Sequence, residues 1–193
     1  MRQGVQHAVL RKGILLVLVI AAVACASAAS PLSDISMSAT IPQLAIGHMH
    51  EIESTKTAEE ASVDATDSQA MQTALDAAGL IGVRERVYTG GRGSYSRVVV
   101  RVWQFDNPQG AAAFHDWLMA NASHSVIGEA KPVSNAPAPG LFVHEPSGCC
   151  HEETPIYLAA WQKGDVVWTV VASGPRIQTR PVIELVKKIE QEV

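Results

Sequence analysis

The sequence predicts an α+β domain: a single, mostly antiparallel sheet of about five strands with helices packed on one face. Three observations predict it. Apolar periodicity switches between 2 and 3.6 along residues 67–193, in the order helix, two strands, helix, three strands, helix. Two of the strands are separated only by Lys163-Gly164-Asp165, a hairpin signature. The stretch from Tyr95 to Ala122 is a long strand that runs into a helix, the unit against which the other pieces are laid.

The N-terminus carries an export signal. Arg2, Arg11 and Lys12 form a positive region, Ile14 to Ala24 an apolar one, and Ala26-Ser27-Ala28 a small-residue cleavage site. The apolar run is shorter than the ~20 residues that span a bilayer. Ala22-Val23-Ala24-Cys25 resembles a bacterial lipobox, with alanine where leucine is preferred. Three fates stand for the segment: lipid attachment at Cys25, cleavage after Ala28 with Cys25 discarded in a peptide spanning 1–28, or retention as an uncleaved anchor helix. Residues 29–66, rich in Ser, Thr, Ala, Asp and Glu, are expected to be a flexible linker. Within them, Leu44 to Ile46 is a short apolar spot. His48 and His50, at i and i+2, share one face of an extended chain, a pattern compatible with a metal or with a solvated linker.

The folded body is expected over 67–193. Thr66-Asp67-Ser68-Gln69 resembles a capping box, and Met71, Ala74, Leu75 and Ala78 recur at helical spacing up to Gly79. Val83 to Thr89 reads as a strand, and the glycine cluster 90–93 as a turn; it lacks the Lys-Ser/Thr ending of a phosphate loop. In the central strand Val98, Val100 and Val102 face one side, the side expected to meet the helices. Tyr95, Arg97, Val99, Arg101, Trp103 and Phe105 face the other. On that side Arg97, Arg101 and Trp103 mark a candidate ligand face, against the alternative of a partly wet face with stacked side chains. Asn107 caps the next helix with Pro108 in its first turn, and Ala111, Phe114, Leu118 and Trp117 form its buried side. Strands follow at Leu141 to Glu145, Ile156 to Gln162 and Val166 to Ser173. A last helix opens after Thr179, with Val182, Val186, Ile189 and Val193 as its seam.

Charge narrows the function classes. The chain of 193 residues carries a formal net charge of −4. Without the first 28 residues, 12 Lys and Arg stand against 19 Asp and Glu, about −7. Such a body lacks the basic face that nucleic acid requires. It would associate with a membrane only through its N-terminal signal or a lipid. No G-x-S-x-G or H-E-x-x-H sequence occurs, and no carboxylate pair can be placed across a cleft, so a non-enzymatic role is expected.

The densest chemistry lies in the loop His144 to Glu153, with two thiols, two imidazoles and three carboxylates. Cys149 and Cys150 are the only cysteines left after the signal. Export places them in an oxidising compartment, where they pair with each other, with another molecule or with a metal. A bridge between neighbours is strained, because the preferred Cα separation of a disulfide exceeds what adjacent residues allow. His144, Cys149, Cys150 and His151 offer a donor set suited to Zn or Cu, although the spacing is not that of a standard zinc site. Three readings stand: an oxidised pair in a plain loop, a metal site, and a redox or cross-linking pair.

The run Val100 to Phe114, V-R-V-W-Q-F-D-N-P-Q-G-A-A-A-F, with Pro139 to Val143 and Trp161 to Val170, resembles the exported domains and lipoproteins common in actinobacteria. The resemblance covers about Ala70 to Val193. It implies an exported domain and brings no catalytic residues to carry over; export, acidity and a compact α+β body without catalytic groups point to an extracytoplasmic domain that binds a small ligand or an envelope protein at the sheet. The alternative is a metal or thiol-redox protein using the Cys149-Cys150-His151 loop.

Overall fold

The computed structural model describes residues 37–46, 49–90, 94–124, 130–133, 140–144 and 154–193. Seven strands form one sheet in which every pairing is antiparallel, in the order β1-β2-β3-β7-β6-β5-β4. The strands are β1 His50–Lys56, β2 Leu80–Thr89, β3 Arg97–Phe105, β4 Lys131–Pro132, β5 Leu141–His144, β6 Ile156–Lys163 and β7 Val166–Ser173. The helices are α1 Ala58–Ser62, α2 Ser68–Ala77, α3 Pro108–Ala120 and α4 Thr179–Glu192. The α+β class holds. The sheet exceeds the expected five strands by β1 and β4, one at each edge.

β3 is central because both of its faces are covered. Its valine face, with Val98, Val100 and Val102, joins Tyr88, Trp168, Val170 and Ala172 in a core closed by Val182, Leu185, Val186 and Ile189 of α4. The opposite face carries Val83, Trp103, Phe105, Ala160 and Val167 under Ala61 of α1, Met71 and Leu75 of α2, and Ala111, Phe114 and Leu118 of α3. Helices therefore pack on both faces, where the sequence suggested one. Trp103 and Phe105, read as half-wet, are apolar enough to hold three helices. Their rings lie 5.2 and 5.3 Å from the ring of Phe114.

A second correction concerns the expected linker. From Met37 onward it belongs to the fold. Met37, Ile41 and Leu44 are buried in the valine-face core. The Leu44 amide donates to the Tyr88 hydroxyl at 3.2 Å. Ser38 and Gln104 exchange two hydrogen bonds, at 2.9 and 3.1 Å. Residues 37–46 thus form a strap across the sheet, with apolar residues at spacings too irregular to announce a strand or helix. β1 follows, and Thr57 then opens α1 with a capping box: its hydroxyl accepts from the Glu60 amide, and its own amide donates to the Glu60 carboxylate.

The remaining caps are local chemistry. α2 is capped by Asp67, whose Oδ1 accepts from the Ala70 amide at 3.0 Å, rather than by the Thr66–Gln69 pair expected. Asn107 caps α3 through the Gly110 amide at 2.8 Å, with Pro108 in the first turn. Gly110 has a tertiary reason: a Cβ there would lie 2.0 Å from the carbonyl oxygen of Ala78, where α3 crosses the end of α2. The β6–β7 turn passes through Gly164 at φ 64°, as a tight hairpin requires.

Candidate functional site

The register builds a surface that no single strand shows. On the face that carries Arg97 and Arg101, the ladder aligns Ile52, Val87, Val99, Val171, Leu158 and Phe142 in one row across six strands. On one side of this row lie Thr89, Arg97 and Ser173; on the other lie Glu85, Arg101 and Thr169. An apolar row is thereby flanked by an arginine on each side. Helices α1–α3 cover the Trp103 end of this face, and Ile52 at the β1 edge is 65% exposed.

Arg101 is buried and held in a four-membered ionic cluster. Its Nε donates to Glu85 Oε2 at 2.5 Å, and its Nη2 donates to Asp64, which follows α1. Lys56, the last residue of β1, lies 2.9 Å from Glu85 Oε1 and 3.6 Å from Asp64 Oδ2. The guanidinium sits 5.8 Å from the Trp103 ring centroid. Two cations and two carboxylates balance, which is what allows charge to sit under a helix at all. Burial alone would raise the pKa of Glu85; the charge of Arg101 and the hydrogen bonds from Lys56 and Arg101 outweigh it and hold the carboxyl below its ordinary value. The same contest, won by Arg101 and Lys56, lowers Asp64.

Asp64, Arg97, Val99, Arg101 and Val171 line a cleft of about 150 Å³. Its floor is apolar and its two ends are arginines. They differ in availability. Arg101 is occupied by two carboxylates, whereas Arg97 is exposed and has no ion-pair partner among the described residues. Trp103, grouped with the arginines from sequence, is not part of this surface. It is 1% exposed, and its Nε1 donates to Thr169 Oγ1 at 2.9 Å in the core.

Sequence reasoning missed Lys56, Asp64 and Glu85. Glu85 left a trace: it shares the parity of Val83 and Val87 in β2, which puts a carboxylate on an apolar face. Lys56 and Asp64 left none, since both sit in the stretch read as linker. Of the proposed metal set, His144 ends β5, and its Nδ1 is buried without a hydrogen-bond partner among the described residues. Cys149, Cys150 and His151 lie outside the described residues, as do Cys25 and His48. No group of three or more His, Cys, Asp or Glu side chains within metal-binding reach occurs among the described residues. Trp161 and Trp168, opposite each other in β6 and β7, stack at 5.9 Å on the valine face.

Two other clefts are lined by described residues. One of about 360 Å³ lies between the strap and the β6–β7 turn, where Lys163 already donates to the Val193 carbonyl. One of about 510 Å³ between α2 and α3 is lined mainly by Ala70, Ala74, Ala77 and Trp117, with Asp67 committed to its cap. Neither presents convergent unpaired charge. No family model matches the chain, and no curated protein does. Among solved structures it is similar to the extracellular domain of PknH from Mycobacterium tuberculosis, at 13% identity and a TM-score of 0.49, over 75% of this chain and 86% of that one.

Proposed function

We propose that the chain is an exported, non-enzymatic binding domain, acylated at Cys25 or cleaved after Ala28, that takes an anionic group of a small ligand or envelope protein in the cleft between Arg97 and Arg101. One observation carries the binding reading: an exposed arginine with no ion-pair partner among the described residues stands at the end of an apolar-floored cleft in a chain of net charge −4. A cation beside an apolar-floored cleft draws the charged end of an amphipathic anion there. Export rests on the N-terminal segment itself.

Backbone amide shifts of the full chain in detergent, titrated with sulfate, phosphate and carboxylates, test the binding. Saturable shifts at Arg97, Val99 and Val171, weakened in Arg97→Gln, support it; their absence for every anion at millimolar concentration overturns it. The intact mass of protein from its host tests export. Acylation at Cys25 or a mature end after Ala28 supports it, and soluble cytosolic protein retaining its first 28 residues refutes it.

The His144 Nδ1, buried without a hydrogen-bond partner among the described residues, favours a second reading, a Zn or Cu site completed by Cys149, Cys150 and His151. Stoichiometric metal in purified protein, lost in a Cys149→Ser/Cys150→Ser variant, supports that reading, and metal-free protein that ignores added Zn refutes it.

A further inference from the structure

We infer that the group recognised is a carboxylate on a short apolar stem, and that it binds by displacing Asp64 from Arg101; this rests on the anion-binding reading above. The position is already shown to accept a carboxylate, because Asp64 supplies one to Arg101 Nη2. A guanidinium presents a planar fork that a carboxylate matches.

Of the two carboxylates on Arg101, only one is free to leave. The Glu85 side chain is 6% exposed and the Asp64 side chain 46%. Glu85 stays, so Arg101 is never left as an unpaired buried cation. Asp64, once displaced, has water and Lys56, now 3.6 Å away, so neither is it stranded. Its position on the segment between α1, a helix of five residues, and α2 lets it move without disturbing the sheet.

The remaining walls define the ligand. Arg97 supplies a second guanidinium at the far end of the cleft, and Val99 and Val171 supply a floor that rewards hydrocarbon. The space of about 150 Å³ beside Asp64 takes a short stem of a few carbons, while the carboxylate takes the place of the Asp64 carboxylate itself. Sulfate and phosphate carry the charge without the stem and leave the valines uncovered. Two sources share this chemistry: a free short-chain acid and the C-terminal apolar residue of a peptide.

The probes are isovalerate, sulfate, and N-acetyl-alanyl-valine as free acid and as amide, titrated into full-length wild type, Arg97→Gln and Asp64→Asn. Isovalerate is expected to bind at least tenfold tighter than sulfate. Arg97→Gln should weaken it by no more than about threefold, through loss of a nearby positive charge, because the carboxylate sits at the Arg101 end and the stem faces Arg97. Asp64→Asn should tighten it by roughly three- to tenfold, because a competing internal carboxylate lowers apparent affinity by the fraction of time it occupies Arg101. In wild type, isovalerate should speed amide hydrogen exchange in residues 58–66, a readout that needs no variant to fold.

Isovalerate binding that Arg97→Gln abolishes but Asp64→Asn leaves unchanged or weakens overturns the displacement and leaves the anion site standing. Sulfate binding as tightly as isovalerate overturns the carboxylate assignment. Failure of all probes overturns site and inference together. A dipeptide acid that outbinds isovalerate while its amide does not bind identifies a peptide terminus; equal affinities of dipeptide acid and isovalerate identify the free acid, and either result supports the inference.

Discussion

Glu85→Ala tests whether the cluster under α1 is a balanced buried network or a set of surface pairs. In the native chain Glu85 accepts from Arg101 at 2.5 Å and faces Lys56 at 2.9 Å, with 6% of its side chain exposed. Removing it leaves Arg101, with a side chain 4% exposed, served by Asp64 alone. Breaking a buried pair by deleting one partner costs ~3–5 kcal/mol. Asp64 still holds one guanidinium nitrogen, and Lys56 at 22% exposure reaches water, so the low end, about 3 kcal/mol, is expected. At ~2–4 °C per kcal/mol for a body of this size, the melting temperature should fall by about 6–12 °C. Urea denaturation of wild type, Glu85→Ala, Arg101→Ala and the double variant measures it. The double variant removes one charge of each sign and leaves Lys56 facing Asp64, so it should be more stable than the summed single losses by ~2 kcal/mol. A single-variant loss below ~1 kcal/mol, or strict additivity in the cycle, refutes the network.

Three further outcomes follow from other parts of the fold. Gly110→Ala places a Cβ 2.0 Å from the Ala78 carbonyl oxygen; forcing α3 away from α2 should cost ~1–3 kcal/mol despite alanine's better helix propensity, read from the urea midpoint. Leu44→Ala removes a buried anchor of the strap and should cost ~2–4 kcal/mol while opening residues 37–46 to protease; a neutral result with unchanged digestion would mean the segment is the linker its composition suggests. For pH, Asp64 and Glu85 both have lowered pKa values. The stability they contribute is complete above the ordinary carboxylate range near ~4 and is lost as pH falls through the lowered values. The urea midpoint should hold between pH 7 and ~5 and drop below ~4, less steeply in a Glu85→Gln/Asp64→Asn variant.

Several elements were legible because their causes are near in sequence. Asn107-Pro108 caps and starts α3 with partners three and four residues on. The β6–β7 hairpin turns where Gly164 permits a left-handed backbone. The alternation of Val98, Val100 and Val102 announces a strand from within itself. The strap was not legible: Met37, Ile41 and Leu44 look like scattered residues in a polar stretch until the sheet offers a face to bury them. The choice of face for α1–α3 was likewise hidden, because Arg97 and Arg101 made a core-bearing side of β3 look wet.

The candidate site divides along the same line. Sequence alone determined that Arg97, Val99 and Arg101 share one side of a strand, since a pleat alternates by geometry. It also determined that His144 and the two adjacent cysteines fall within one short stretch, and that three basic residues precede the apolar run before Cys25. Only the tertiary structure decided that Val171 would sit beside Val99, and that Asp64, 37 positions before Arg101, would occupy its guanidinium. It decided as well that Glu85 and Lys56 would complete the charge balance. The register of β2 and β7 against β3 brings distant residues level, and that register is set by burying two faces at once, a condition no local stretch can state.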